Sequence, residues 1–298
     1  MASSTPTIST DVAILDHEPV RVWRWVCAYL LRRPLLLIAL GILALLALGA
    51  LFAPLIAPYS PYATLKGQEL LGPSMRHLFG TDEFGRDLFS RALYGLRVSF
   101  AVGIVAVALG AFVGVLIGAI AGYVGGLVDA VLMRAIDSLL AVPAILLAMA
   151  IVAVWGAGVA TLIVAIAVIN IPVFSRIARA GYLAERHKEY VTAAHSLGAS
   201  GPRIVLRYIF PNTLSPLLVQ AALAMAYSVL IEAALSYLGL GIRPPQPSLG
   251  SLLNASQRFM RDALWYPFFP GLVLAALLLS LNTLADTASD LINPGAQR

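Results

Sequence analysis

The sequence predicts an all-α polytopic membrane protein with six transmembrane helices, and three observations carry that prediction. Of 298 residues, 60% are hydrophobic and only 12% are charged, whereas a soluble globular domain carries about 25% charged residues. The apolar residues fall in charge-free runs long enough to cross a bilayer, which takes about 20 helical residues. The Lys and Arg residues stand mainly between those runs. Although the net charge is +5, that placement fits topology signals and argues against a nucleic-acid partner.

Taken in order, residues 1–33 form a Ser/Thr-rich tail and an Arg-rich flank (Arg21, Arg24, Arg32, Arg33) on the cytoplasmic side. Cys27 is the single cysteine, so an internal disulfide is excluded. The first helix occupies 34–58. Its apolar run is too long for a signal-peptide core and reads as a retained anchor. An external loop follows over 59–97. The core permeation domain covers 98–287, and its second span lies in the charge-free stretch from Val98 to Val128. There Gly110, Gly114, Gly118 and Gly122 recur every four residues, a ridge on which another helix backbone can approach closely. Ser138 to Ser175 also lacks charge and is roughly twice a bilayer core at 1.5 Å per residue. The turn "WGAG" at Trp155–Gly158 divides it into spans three and four. Tyr208 to Ile231 gives span five, entered after Pro211, and Ala263 to Ala285 gives span six. Residues 288–298 form a C-terminal tail, on the same cytoplasmic side as the N-terminus because the span number is even. The basic cluster Arg176, Arg179, Arg186, Lys188, Arg203 and Arg207 sets that orientation.

One segment interrupts the apolar pattern. "EYVTAAHSLGASGPRIVLRYIFPN" runs from Glu189 to Asn212 within a polar loop at 176–212. Leu183 through Leu197 can form one helix, with Tyr190, Ala193, Ala194 and Leu197 on one face. Gly198 stands where a left-handed C-terminal cap is wanted, and Pro202 stands at a first-turn position. Two short helices with a tight elbow are expected, the second ended by Pro211. On spacing alone, an amphipathic helix lying on anionic lipid competes with a docking handle.

Several single residues admit two readings as well. Glu232, near the outer end of span five, is a candidate gate or cargo contact, against an interfacial Glu bonded to loop amides. Asn170 and Gln220 are polar candidates for a translocation path, with interhelical hydrogen bonding as the alternative. Asp137 is expected at the start of span three, near the positive end of its dipole. Asp82, Arg86 and Asp87, between glycines 80 and 85 and the second span, are expected as an ion-pair and turn cluster that steadies the outer loop. His17, His77, His187 and His195 have no metal-ligand spacing, and there is no P-loop.

The "TAAHSLG" stretch with Pro211 thirteen residues beyond Gly198 resembles the coupling loop of bacterial ABC importer permeases. Ala193, Ala194, Gly198 and Pro211 match that motif; the family's usual Glu position is Thr192 and its Leu position is Phe210. "FGTDEFGRDLFSRALYGLRVS" (Phe79–Ser99), "EAALSYLGLGIRPPQPSLGSLL" (Glu232–Leu253) and "WYPFFPG" (Trp265–Gly271) are similar to the second, C-type permease of the dipeptide/oligopeptide/nickel branch. "ADTASDLINP" (Ala285–Pro294) resembles its tail. The resemblance implies the type I ABC importer permease fold in the bacterial inner membrane. It also implies ATPase contact through Tyr190, Thr192, Ala193, Ala194, Gly198, Ala199 and Pro211. The implied partners are a homologous second permease, two ATP-binding subunits that hold ATP and Mg, an external substrate-binding protein and the lipid bilayer. No cofactor is implied in this chain. The resemblance leaves dipeptides, longer peptides, glutathione, haem and nickel chelates open as cargo. An ion-coupled carrier and an intramembrane hydrolase are the other classes considered. The first lacks membrane-embedded ionisable groups beyond Glu232 and Asp137, and the second lacks a nucleophile–base pair.

Overall fold

The computed structural model describes residues 34–292. The N-terminal flank with Cys27, and the last part of the tail with Pro294, lie outside the described residues. The chain divides into two compact units, 1–38 and 39–298. Of the first, the described part is the opening of helix α1 (Pro34–Leu51); the second holds everything that follows.

After α1 come a short α2 (Ala53–Ile56), a long α3 (Leu88–Val124), α4 (Gly126–Leu140), α5 (Ala144–Trp155) and α6 (Val159–Glu185). The remaining elements are α7 (Glu189–Ser196), a turn α8 (Gly201–Arg203), a π-helical segment (Ile204–Ile209), α9 (Phe210–Tyr237), α10 (Leu249–Ser256) and α11 (Trp265–Ile292). Among the described residues, five helical stretches are long and apolar enough to cross a membrane, and a sixth arises if α4 and α5 count together.

The pairing of α3 with α6 is the most extensive in the molecule, and its cause is visible residue by residue. A Cβ on Gly110 would lie 2.7 Å from the Asn170 Cβ, one on Gly114 2.7 Å from the Phe174 Cβ, and one on Gly122 2.7 Å from the Tyr182 Cβ. Gly118 faces Ala178 in the same way, so two four-residue repeats lie against each other. In lipid, where apolar burial gives helices no reason to associate, such backbone proximity supplies dispersion contacts instead. Helix α9 closes the bundle: Ile231 and Leu235 join Val102, Ala106 and Ile166 in one buried cluster.

The structure departs from the sequence reading at several boundaries. Helix α3 begins at Leu88, inside the stretch expected as external loop to residue 97. The Asp87 carboxylate caps it by accepting the Ser90 N–H at 2.8 Å. Arg91 lies within the helix, buried, donating to the Pro61 carbonyl at 2.9 Å. A count of charge-free residues cannot see a span whose first turns hold a buried arginine. The third span is a bent pair: α4 and α5 meet at 86° around the Ala141–Pro143 break. Pro143 accounts for the break, since proline disfavours helical geometry in the residue before it. Asp137 therefore lies in the last turn of α4, not at a helix start. The helix expected from Leu183 to Leu197 is divided at Arg186–Lys188. Pro211 does not break the following stretch. The Phe210 N–H reaches back five residues to the Val205 carbonyl, and this π turn carries the chain past the proline into α9.

Candidate coupling loop and transport pathway

The polar loop is mounted on the ends of α3, α6 and α9. Helix α6 stops at Glu185, and the Arg186 guanidinium turns back to donate to the Gly122 and Tyr123 carbonyls at 3.1 and 3.4 Å. A cation there satisfies terminal carbonyls and suits the negative end of the α3 dipole. Glu185 accepts from Lys188 at 2.6 Å and from the Tyr190 hydroxyl at 2.5 Å. Asn212 donates to that same hydroxyl at 3.3 Å and to the Tyr208 carbonyl at 2.7 Å. The Tyr190 phenol is pushed up to about 12 by burial and by its bond to Glu185. It therefore stays a donor throughout the neutral range.

Helix α7 ends in a Schellman motif. Gly198 has φ +79° and its N–H bonds the His195 carbonyl, while the Ala199 N–H bonds the Ala194 carbonyl. Val191 and Ala194 anchor the helix by burial against Tyr182, Ile204 and Ile209. Thr192, Ala193, His195, Ser196 and Gly198 face outward, as does Pro211. Leu197, a large apolar residue at the tip, is 88% exposed.

Asn170 and Gln220 meet in one cavity of about 390 Å³ between α5, α6 and α9, with Pro143, Leu147 and Tyr227 also in its wall. Asn170 is itself buried, donating to the Ile166 carbonyl at 2.9 Å and to the Ser228 hydroxyl at 3.1 Å. Glu232 does not join them. It is fully buried, not interfacial, and takes hydroxyls rather than loop amides. Ser99 of α3 donates to it at 2.8 Å and Ser236, one turn along α9, at 2.9 Å. A caged carboxylate of this kind ties α3 to α9.

The three outer-loop residues divide between two knots. Asp82 accepts the Phe84 and Arg86 N–H groups at 2.9 Å each and the Arg86 Nε at 2.6 Å, with Arg91 Nε at 3.4 Å. Asp87 is separate: besides capping α3 it pairs with His77 at 2.9 Å, and the other His77 nitrogen meets Gln68 at 3.0 Å. Glu83 reaches α11, accepting the Tyr266 hydroxyl at 2.5 Å. Asp82, Asp87 and His77 are all buried.

Sequence reasoning missed the mounting residues of the coupling loop, Glu185, Arg186 and Tyr123, and the exposed tip Leu197. For Arg186 a signal existed, a basic residue just beyond a helix end. For Ser99 there was none, because its partner Glu232 lies 133 positions away. Two arginines of α6 also find partners: Arg179 grips Asp129 through two bonds, at 2.5 and 2.6 Å, and Arg176 meets Asp137 at 2.6 Å.

Residues 114–298 match the family described as "Binding-protein-dependent transport system inner membrane component". Residues 21–73 match the "N-terminal TM domain of oligopeptide transport permease C". Among relatives, the dipeptide transport system permease protein DppC of Alkalihalophilus pseudofirmus is 39% identical over 279 residues, covering 94% of this chain and 92% of that protein. The glutathione transport system permease protein GsiD of Escherichia coli is 41% identical over 251 residues, covering 84% and 83%. Among solved structures, the inward-facing MetNI methionine ABC transporter matches with a TM-score of 0.55 at 17% identity, covering 68% of this chain and 96% of that one, a likeness of fold alone. These matches span the coupling loop, the paired α3–α6 seam and the outer knots together. The chain accordingly belongs to the binding-protein-dependent transport system inner membrane component family, as a multi-pass inner-membrane permease subunit of an ABC importer and not its ATPase.

Proposed function

We propose that this chain is the C-type permease of a peptide importer, with dipeptides or oligopeptides as cargo. It pairs with a homologous second permease, receives cargo from an external binding protein, and rests on two separate ATPase subunits that hold ATP and Mg. What supports the cargo assignment is the family resemblance of about 40% to permeases named for dipeptides and glutathione. What supports the coupling assignment is a single observation: the 176–212 loop is internally braced yet presents its tip, with Leu197 bare, away from the bundle. Both termini and this loop lie in the cytoplasm. Closure of the ATPases moves α7 as a rigid body, and the Glu185–Tyr190–Asn212 bonds pass that motion to α6 and α9 together.

Two positions on the exposed face, Thr192 and Ala193, suit the test. With Cys27 replaced by Ser, Thr192→Cys in the assembled complex is expected to cross-link to the ATPase subunit, and ATP is expected to change the yield. A complex that transports peptide but never yields that product would overturn the coupling reading. So would a protease map that places 176–212 outside the cell. Uptake of labelled dipeptides by proteoliposomes containing the whole complex and its binding protein tests the cargo.

A further inference from the structure

At the opposite end of α3 from the coupling loop lies a second cavity, of about 290 Å³. Its wall is formed by Tyr62 of the outer loop, Tyr94, Arg97 and Val98 of α3, Val159 at the start of α6, and Gln246 with Pro247 before α10. From Arg97 to Tyr123 is roughly 39 Å along a helix at 1.5 Å per residue, so the two features sit at opposite membrane faces. The wall combines one cation with phenol and amide groups; its arginine is one of several exposed arginines, Arg203, Arg207 and Arg243 among them, that meet no partner among the described residues. Asp82, Asp87, Asp129, Asp137, Glu185 and Glu232 are each held by hydrogen bonds or an ion pair, and Arg86, Arg91, Arg176, Arg179 and Arg186 each meet an acid or a carbonyl. Arg97 meets neither among the described residues, and no Asp or Glu lines the cavity. The hydroxyls of Tyr62 and Tyr94 and the Gln246 amide are likewise without a partner among the described residues. One guanidinium, two phenols and an amide thus line one cavity with no protein partner among the described residues, Arg97, Tyr62 and Gln246 being open to solvent.

We infer that this outer cavity is a carboxylate site, in which Arg97 receives the C-terminal carboxylate of a peptide as it enters the permease. A guanidinium presents a planar fork that matches a carboxylate through two parallel N–H···O bonds, and phenol and amide donors extend the set. One cation suits a monoanion, and not a phosphate that carries two charges. The volume is at the small end for ligand pockets, room for a terminal residue and its carboxylate but not for a folded loop. The inference rests on the peptide reading above and adds a named contact to it.

The test is photolabelling of the purified whole complex, without binding protein, by a dipeptide carrying a diazirine in its C-terminal residue. The same peptide as a C-terminal amide is the comparison. The acid is expected to mark Tyr94 or Val98, with labelling displaced by excess alanyl-alanine and at least about tenfold weaker for the amide, as loss of a charge-assisted bond implies. Arg97→Gln is expected to bring acid and amide to the same low level, and Arg97→Lys, which keeps charge without the fork, to fall between. Arg258→Gln, an exposed cation outside the cavity, leaves labelling unchanged. Equal labelling by acid and amide in the native complex overturns the inference without any variant. Unchanged labelling in Arg97→Gln overturns it too, and if binding-protein-stimulated ATP turnover falls in that variant instead, the cation serves a carboxylate of the docked binding protein. Uptake by the native complex is read in parallel. Peptide uptake without labelling sinks this site alone, whereas no peptide uptake sinks the cargo assignment on which it stands.

Discussion

The outer loop and the coupling loop are both polar excursions from an apolar bundle, yet they are built on opposite plans. In the outer loop the acids point inward: Asp82 and Asp87 are buried, the first bonded to Arg86 and to backbone beside Arg91 of α3, the second to the buried His77. In the coupling loop Glu185, Arg186 and Lys188 make the mount at the base, and apart from His195 the tip carries small or apolar residues that are exposed. A buried charge network holds only one arrangement at low energy, because each lost partner leaves a desolvated group behind. A capped helix on a small apolar footing keeps its own shape while it remains free to be gripped. The first region is suited to keeping a shape, and the second to transmitting a displacement.

The sharpest way to break that contrast is to remove Asp82. Asp82→Ala takes the principal partner from Arg86, a contact from Arg91, and the acceptor from two backbone N–H groups. Breaking a buried pair from one side costs about 3–5 kcal/mol. The variant is expected to fall sharply in membrane abundance and in the unfolding temperature of the purified complex. If it unfolds with the native protein, the outer knot is not what fixes that loop.

Next in size is the helix seam on which both regions depend. Gly118→Val would drive a side chain into the Ser175 carbonyl and to within 2.7 Å of the Ala178 Cβ. Overpacking of this kind costs about 1–3 kcal/mol. Because α3 carries the outer knot at one end and receives Arg186 at the other, the loss is expected in both abundance and transport. A variant with native abundance and uptake would mean that α3 and α6 can separate without consequence.

The coupling loop predicts the reverse division. Gly198 sits at φ +79° with nothing near its missing Cβ, so Gly198→Val meets backbone strain and no clash. Left-handed geometry costs an L-residue about 1–2 kcal/mol, and here the cost falls on the last turn of α7 alone. Membrane level and ATPase assembly are expected to hold while uptake per ATP hydrolysed falls. Tight coupling in this variant would show that the cap geometry does not matter to the lever.

How much of this was legible beforehand follows from the range of the forces involved. Local signals read well. The glycine ridge at 110, 114, 118 and 122 meets α6, and Gly198 and Pro202 take the cap and first-turn places that their chemistry suggests. Spans read well where lipid alone sets the rule, as in α1 and α11. Several of the failures are non-local, although the break at Pro143 has a local cause. Arg91 looked like loop because its partners, Pro61 and Asp82, are contributed by another part of the chain. Glu232 looked interfacial because the Ser99 hydroxyl that shelters it comes from a different helix. The π turn before Pro211 involves a hydrogen bond that no residue type announces.

The smallest expected effect separates structure from mechanism within the half of the bundle that carries the polar loop. Asp137 and Arg176 meet at 2.6 Å, but their side chains are 53% and 56% exposed. Exposed pairs contribute about 0–1 kcal/mol, since water screens the attraction and two side chains must be held still. A double-mutant cycle of Asp137→Ala and Arg176→Ala, read by thermal unfolding of the assembled complex, is therefore expected to give a coupling energy below about 1 kcal/mol. The same cycle read by initial uptake sets an independent limit. The pair joins α4, beyond which the chain bends by 86° into α5, to the helix that ends at the coupling loop. If the contact is only a surface pair, equally strong in every state, the uptake coupling is zero. An uptake coupling clearly different from zero would mean that the pair is stronger in one transport state than in another, because an interaction equally strong in every state changes no rate.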